Sequence, residues 1–390
     1  MTQRAAMTQE IIIIGGGIIG CSIAYALTRA GLRATLLEQG TLAEGTTGNS
    51  FAWANASSKT TNAAYHRLNA AGVAGYQALI AEYGAEQIGI RQTGALQVVS
   101  RSDAAGFRAM QDDFAALTRF GYPCEWLDGA ALQAETPALS LPADAEALLL
   151  PSDMVVDAPK AARTFAELAR LAGANIRENC PAQALIADDD GAIQGVETSN
   201  GSIHAANVIL AAGADTGSLL AQLTGFDGFS TRFPLRQVPG LLLTTPPIAP
   251  NPLTRVIYGS TTNELHMLPA PNGGIRIGSD DVDGIIWEDR SPSAMQRGGT
   301  ALLKRAAQVI PDLPTRVRLE DCHLQIGVRP YPEDGLTIAG PLPGSDGLII
   351  VATHSGITLA PAIAAHMVDL VKTGAAPGLT GYGLSRFPGF

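Results

Sequence analysis

Cysteine is scarce and scattered in this chain. Cys21, Cys124, Cys180 and Cys322 lie far apart and form no CxxC or Cys/His ligand spacing. That pattern excludes a disulfide framework and a structural zinc site, so no metal is expected and a reduced, cytoplasmic setting fits best. Runs of Lys and Arg are missing too. With a formal net charge of -10, the chain lacks the clustered cations that a nucleic-acid surface needs. No apolar run approaches membrane-spanning length. The first one, Ile11 to Ile14, runs straight into glycines and is too short for the apolar region of a secretory signal. Internal repeats and low-complexity linkers are absent as well. What remains is a globular composition, 46% hydrophobic and 16% charged, pointing to a small-molecule partner. At 390 residues the chain exceeds what one core usually serves, and two lobes are expected.

The chain opens as strand, turn, helix, strand: Ile11 to Ile14, a glycine turn, Ile18 to Ala30, then Ala34 to Leu37. Ile19, Ile23, Leu27 and Ala30 share one face of the predicted helix, and Gly31 stands where a glycine commonly ends one. A helix is expected over Ala64 to Tyr83, a β-rich stretch over Ile90 to Val99, and further helices over Ser102 to Arg119 and Pro159 to Ala172. Asp188 to Gly191 and Asn200-Gly201 read as hairpin turns. Asn207 to Gly213 is an apolar strand of the covered, parallel kind, ending in glycine. Between Arg232 and Arg276 short strands alternate with Pro/Gly turns, which predicts a separate antiparallel sheet, and a helix follows over Pro292 to Val309. The chain then repeats its opening: a strand over Leu348 to Thr353, the turn His354-Ser355-Gly356, and a helix over Leu359 to Lys372. Three strand-glycine-helix units so far apart imply one discontinuous α/β lobe interrupted twice by a β-rich lobe, with a ligand at the carboxyl ends of the strands.

The first glycine turn, Gly15-x-Gly17-x-x-Gly20, carries the clearest chemistry. Gly15 permits the turn, Gly17 lets backbone N–H groups approach a pyrophosphate, and Gly20 lets the helix pack closely. Ile18 and Ile19 open the helix, whose N-terminus favours an anion. Glu38, followed by Gln39, ends the second strand 18 residues after Gly20, where a carboxylate can accept from ribose hydroxyls and would repel the extra phosphate of NADP. These residues point to a dinucleotide and leave FAD and NAD both open.

Three segments together resemble the glycine oxidase and D-amino acid oxidase/dehydrogenase family. They are the glycine fingerprint, Val208 to Ala214, and the C-terminal series Gly327-Val328-Arg329-Pro330, Asp334-Gly335, Gly340-Pro341 and His354 to Pro361. The resemblance spans nearly the whole chain. It implies an α/β fold, α+β overall, with a discontinuous Rossmann-like FAD-binding lobe over 1–85, 145–225 and 320–390. A mixed or antiparallel β-sheet substrate lobe is implied over 86–144 and 226–319. It also implies FAD and oxidation of a carbon–nitrogen bond.

By the same resemblance, Gly45 to Ser50 passes along the pyrophosphate and ribityl chain, making Thr46, Thr47, Asn49 and Ser50 cofactor-binding candidates. Ala212 and Gly213 belong to a second flavin-lobe signature. Relatives with histidine-linked flavin carry the histidine where this chain has Asn49, and cysteine-linked ones carry the cysteine where it has Gly327, so noncovalent FAD is implied. Arg329 matches the carboxylate-binding arginine, a bidentate group suited to an amino acid substrate; a structural pairing with Asp334 or a carbonyl is the other role open to it. The turn at His354, with Ser355, Gly356, Ile357 and Thr358, matches the segment lining the flavin pyrimidine ring, where helix N–H groups can stabilise anionic reduced flavin. His354 is either a flavin or substrate contact or a turn residue. Some glycine oxidases carry an arginine in this turn, and none stands here. Tyr258, His266 and Arg276 on adjacent predicted strands, Arg236, and the stretch Trp53 to Ala56 complete the candidates. The expected reaction is hydride transfer from a small amino acid or N-substituted amino acid to flavin N5, giving an imine that hydrolyses. The electron acceptor and oligomeric state stay open. The alternatives are an FAD-binding subunit of a heteromeric electron-transfer dehydrogenase, and an NAD-dependent dehydrogenase.

Overall fold

Glu10–Ile14 alternates between two cores. In the computed structural model, which describes residues 10–224, 228, 232–259 and 265–390, Ile11 and Ile13 face helices Ile18–Arg29, Ala63–Tyr83, Ala158–Leu171 and Gly356–Thr373. Ile12 and Ile14 face the opposite way, towards a three-stranded sheet of Ala182–Ala187, Ile193–Thr198 and Gly201–His204. A strand buried on both faces has no use for polar alternation, and this explains the run of four isoleucines. Each contributes about 1.5–3 kcal/mol by burial.

That strand is central in a six-stranded sheet ordered Ile338–Pro341, Leu348–Ala352, Asn207–Leu210, Glu10–Ile14, Arg33–Leu37, Asn175–Arg177. All neighbours are parallel except the first pair. The three predicted strand-glycine-helix units therefore lie side by side, with their carboxyl ends at one edge.

A second, eight-stranded sheet runs His323–Pro332, Leu235–Thr244, Ile275–Ser279, Leu265–Pro269, Val256–Tyr258, Ala95–Ser100, Ala145–Leu150, Glu125–Leu127. It is mixed, because Val256–Tyr258 pairs in parallel with Ala95–Ser100. Register sorts its side chains by parity. Leu241, Leu243, Ile257, Met267, Ile275 and Ile277 point to one face, under helix Pro292–Val309. Arg236, Tyr258, His266, Arg276, Arg329 and Tyr331 all fall on the other.

The stretch Ile90 to Val99 is divided. Ile90–Arg91 joins Met154–Val156 and Trp53–Ala54 in a small sheet, whereas Ala95–Ser100 joins the large one. Gly94 lies between them at φ 67, donating its N–H to the Asp153 carbonyl at 2.9 Å. A left-handed residue cannot continue an extended run, so the chain switches sheets there. Ala145–Leu150 and His323–Pro332 pair in the large sheet, although the expected ranges grouped them with the dinucleotide lobe. Sheet membership divides the chain after Leu150 and after Pro332. The boundary expected at 225/226 lies outside the described residues.

Candidate active site

At the first turn the backbone leaves no room for side chains. A Cβ on Gly20 would sit 1.9 Å from the Gly15 carbonyl oxygen, and one on Gly15, at φ 114, would sit 2.4 Å from that of Ala211. Gly17 begins the helix with no side-chain cap of its own, and the first turn holds no acidic residue. Thr47 reaches in from the following loop, its hydroxyl accepting from the Ile18 N–H at 3.0 Å. Glu38 spans the turn, accepting from the Gly16 N–H at 2.7 Å and the Gly40 N–H at 2.8 Å. Its carboxylate thus braces the turn; Gln39 beside it is exposed. Below the turn, burial and the charge of Glu38 push the Cys21 thiol up to about 12. All four cysteines are unpaired by disulfide.

The loop after Glu38 fastens itself to the large sheet. Thr46 donates to the Val328 carbonyl at 2.7 Å, Ser50 to that of Thr47 at 3.0 Å, and Asn49 to those of Glu44 and Gly45. The donors of these three cofactor-binding candidates go to backbone carbonyls of the loop and the sheet. Arg276 donates to the Ser50 carbonyl at 3.0 Å, and Phe51 meets His266 edge-on at 4.5 Å. Arg276 and His266 consequently clamp this loop from the sheet side. Gly327 is the closest approach: a Cβ there would lie 2.0 Å from the Asn49 carbonyl oxygen. Gly213, left-handed at φ 59, follows Ala212 and faces Thr46 across the first turn.

The last helix starts beside the first, Ile19 standing 3.5 Å from the Cβ position of Gly356. Ser355 precedes it without a side-chain cap bond, and its first turn has no acidic residue. Around it Tyr65 donates to Ser355 at 3.1 Å, Tyr76 to the Ile357 carbonyl at 2.6 Å, and the Asn55 N–H to Thr358 at 3.1 Å. His354 packs on Tyr331 at 4.7 Å with the rings tilted by 30°, and the Arg236 guanidinium sits over the Tyr331 ring at 5.2 Å. Burial, helped by the positive charges of Lys59 and Arg329, pulls the His354 imidazole down to about 3, and its buried Nδ1 has no partner. It is a neutral ring throughout the physiological range.

Arg329 lies on the same face, half-buried. It pairs with Asp283 at 2.7 Å and Asp280 at 3.2 Å, and its buried Nε has no partner. The alternative pairing with Asp334 is not made; Asp334 pairs with Arg386 at 2.7 Å. Asp283 is buried, and desolvation lifts its carboxyl to about 6 despite the Leu241 N–H and Arg329. Tyr258 and Trp53, both half-buried, pack at 4.8 Å. Behind them lies Asp153, which sequence reading passed over because a lone acid in a Pro-Ser-Asp turn carries no spacing signal. Lys59, raised by no motif either, is desolvated enough to lower its ammonium pKa.

Two neighbouring helix starts whose first turns hold no acidic residue, the first capped only by the neutral Thr47 hydroxyl, suit an anionic dinucleotide at one end and an anionic ring at the other. The unpartnered Arg329 Nε and His354 Nδ1 lie at the ring end. These residues fit FAD. Among the described residues no group of His, Cys, Asp and Glu is placed to hold a metal, and no helix is long and apolar enough to cross a membrane.

Comparison with known proteins agrees. The family model described as FAD dependent oxidoreductase matches residues 10–370. Glycine oxidase of Geobacillus kaustophilus (strain HTA426) is 29% identical over 388 residues, covering 95% of this chain and 94% of its own. D-amino acid dehydrogenase of Paramagnetospirillum magneticum is 30% identical over 245 residues, 62% of this chain and 54% of its own. The crystal structure of glycine oxidase from Geobacillus kaustophilus superposes with a TM-score of 0.79 at 25% identity, covering 98% of this chain and 100% of that one. L-proline dehydrogenase from P. horikoshii shares the fold, with a TM-score of 0.83 at 21% identity over 97% and 98% of the two chains. With the motifs, the site and 361 consecutive positions (10 to 370) in agreement, this chain belongs to the FAD-dependent oxidoreductases.

Proposed function

We propose that this protein oxidises the carbon–nitrogen bond of a small carboxylated amine, an amino acid or N-substituted amino acid, using noncovalently held FAD. The observation that carries it is Arg329: a half-buried guanidinium beside His354, on the sheet face towards the flavin loop, with one buried N–H unpartnered. Planar, forked donors suit a carboxylate. The names of the glycine oxidase and D-amino acid dehydrogenase relatives support the same substrate class. Noncovalent attachment is supported by Asn49 and by the lack of space for any side chain at Gly327.

Bound FAD supplies the two-electron acceptor. The chain's residues orient and neutralise. Gly15, Gly17, Gly20, Ile18 and Ile19 hold the pyrophosphate at the first helix start, and Glu38 the ribose. The N–H groups of Gly356 to Thr358, with Ser355 before them, would hold the ring end of the cofactor and favour negative charge there. Arg329 would grip the substrate carboxylate, and Tyr258, on the same sheet face, would help to line the site. As hydride leaves with its electron pair, the nitrogen lone pair forms the C=N bond, and water hydrolyses the imine. Neutral His354 adds no charge; it holds Tyr331 and the turn. His266 acts through the loop that it clamps.

Anaerobic mixing with glycine, sarcosine, prolines and D-amino acids tests this. At least one should bleach the flavin absorbance. A flavin left oxidised by the whole panel would favour an electron-transfer subunit instead.

A further inference from the structure

Asp153 has no counterpart in the mechanism above. It is fully buried, and no cation is among its hydrogen-bond partners. Oδ2 accepts from the Ser57 hydroxyl at 2.7 Å and the Trp53 indole at 3.1 Å; Oδ1 accepts from the Tyr122 hydroxyl at 3.0 Å. Ser57 neighbours the Tyr258 hydroxyl, and Tyr258 packs on Trp53 on the sheet face that carries Arg329. A line of hydroxyls therefore runs from Tyr258, on the sheet face that carries Arg329, through Ser57 to one buried carboxylate.

We propose that Asp153 is the positioning residue of a proton path, by which the proton lost from the substrate ammonium leaves through Tyr258 and Ser57 and ends on the Asp153 carboxylate. This rests on the amine-oxidation reading. Hydride can leave only once the nitrogen has a lone pair to form the C=N bond, so a substrate arriving as ammonium must first lose a proton. In the relay the ammonium proton passes to the Tyr258 oxygen as the Tyr258 proton passes to Ser57. The Ser57 proton passes to Asp153, and no charge is created or lost.

The surroundings suit the role. The titratable groups around Asp153 are Tyr122, Tyr258, His66, which meets Tyr122 edge-on at 5.3 Å, and Asp113, which acts on Tyr258. His66 donates its Nδ1–H to the Ala56 carbonyl at 3.0 Å, and burial lowers its imidazole pKa; Asp113 accepts from Thr60 and Gln97. None supplies a cation. Burial accordingly raises the Asp153 carboxyl to about 7, against the pull of its three donors, which is where an acceptor working near neutrality is most effective. A purely structural bridge would not need a costly buried charge, since the oxygen of an asparagine can accept from Ser57 and Trp53 alike.

The test is the pH profile of anaerobic flavin reduction by a substrate that bleaches the wild-type holoenzyme, compared with Asp153→Asn and Ser57→Ala. In the wild type the rate should rise through a deprotonation near 7. Both variants should lose that limb, with reduction about 10²-fold slower above about pH 7, converging on the wild type at low pH, where Asp153 is itself protonated, and in alkali, where the amine arrives neutral. Variants that keep the limb and the rate would overturn the relay while leaving the amine reading intact. Should Asp153→Asn fail to fold, Ser57→Ala decides alone, because Trp53 and Tyr122 still hold Asp153. If no carboxylated amine bleaches the wild type, the amine reading falls and the relay with it.

Discussion

On the proposed reading Gly15 to Gly20 would receive the dinucleotide and the sheet face around Arg329 the carboxylated amine, and the two regions are built by different means. At the turn the contacts are backbone N–H groups and a helix dipole, assembled within one βαβ unit and closed by Thr47 and Glu38 from the next few turns of chain. Across the sheet they are side chains from strands as distant as Val256–Tyr258 and His323–Pro332, aligned by register alone. Backbone sites tolerate no added atoms, whereas side-chain sites tolerate substitution but lose chemistry. The comparison can be broken at either end.

The largest effect is expected from Gly20→Val, whose Cβ meets backbone at 1.9 Å: purified protein should lack flavin absorbance and melt earlier, and a yellow, stable variant would show that the turn has slack. Arg329→Ala should keep its FAD and lose about 2–5 kcal/mol of carboxylated-substrate capture, on the order of 30- to several thousand-fold in kcat/KM, with Arg329→Lys a poor rescue because the fork is gone. Unchanged kcat/KM would make Arg329 a partner of Asp283 and nothing more. Thr47→Ala removes a cap and should weaken FAD binding by about 0.5–2 kcal/mol, read by flavin titration of the apoprotein. The smallest effect concerns His354. Its folded pKa of about 3 lies below the ordinary 6.5, so the unfolded chain binds the extra proton and stability is lost as pH falls from about 6.5 towards 3. His354→Gln should lose less melting temperature than the wild type between pH 7.5 and pH 5, and equal losses would place the acid sensitivity elsewhere.

Much of the dinucleotide lobe was legible because its signals are local. The predicted first helix, Ile18 to Ala30, and the observed one, Ile18–Arg29, agree since turn glycines and apolar spacing act within a few residues of each other. The stretch from Ile90 is β-rich as expected, but its division between two sheets was not legible, because nothing in its residue types reveals that Gly94 is tied to Asp153 from another part of the chain. His266 and Arg276 were rightly placed on neighbouring strands, but their engagement with Phe51 and Ser50 was invisible. Asp153 was missed altogether: its partners Trp53, Ser57 and Tyr122 are distant in sequence, and burial, which gives the carboxyl its altered acidity, is a property of the assembled lobes.

By itself the sequence determined a dinucleotide turn, three strand-glycine-helix units and a C-terminal series resembling flavin oxidases, because glycine conformation, helix periodicity and motif order are written in short stretches of chain. Only the tertiary structure decided that Thr46, Asn49 and Ser50 bind protein, that Arg329 pairs with Asp283 and not Asp334, and that a fully buried Asp153 collects three donors. Those outcomes depend on which strands pair and in what register, and on how far water is excluded between the lobes.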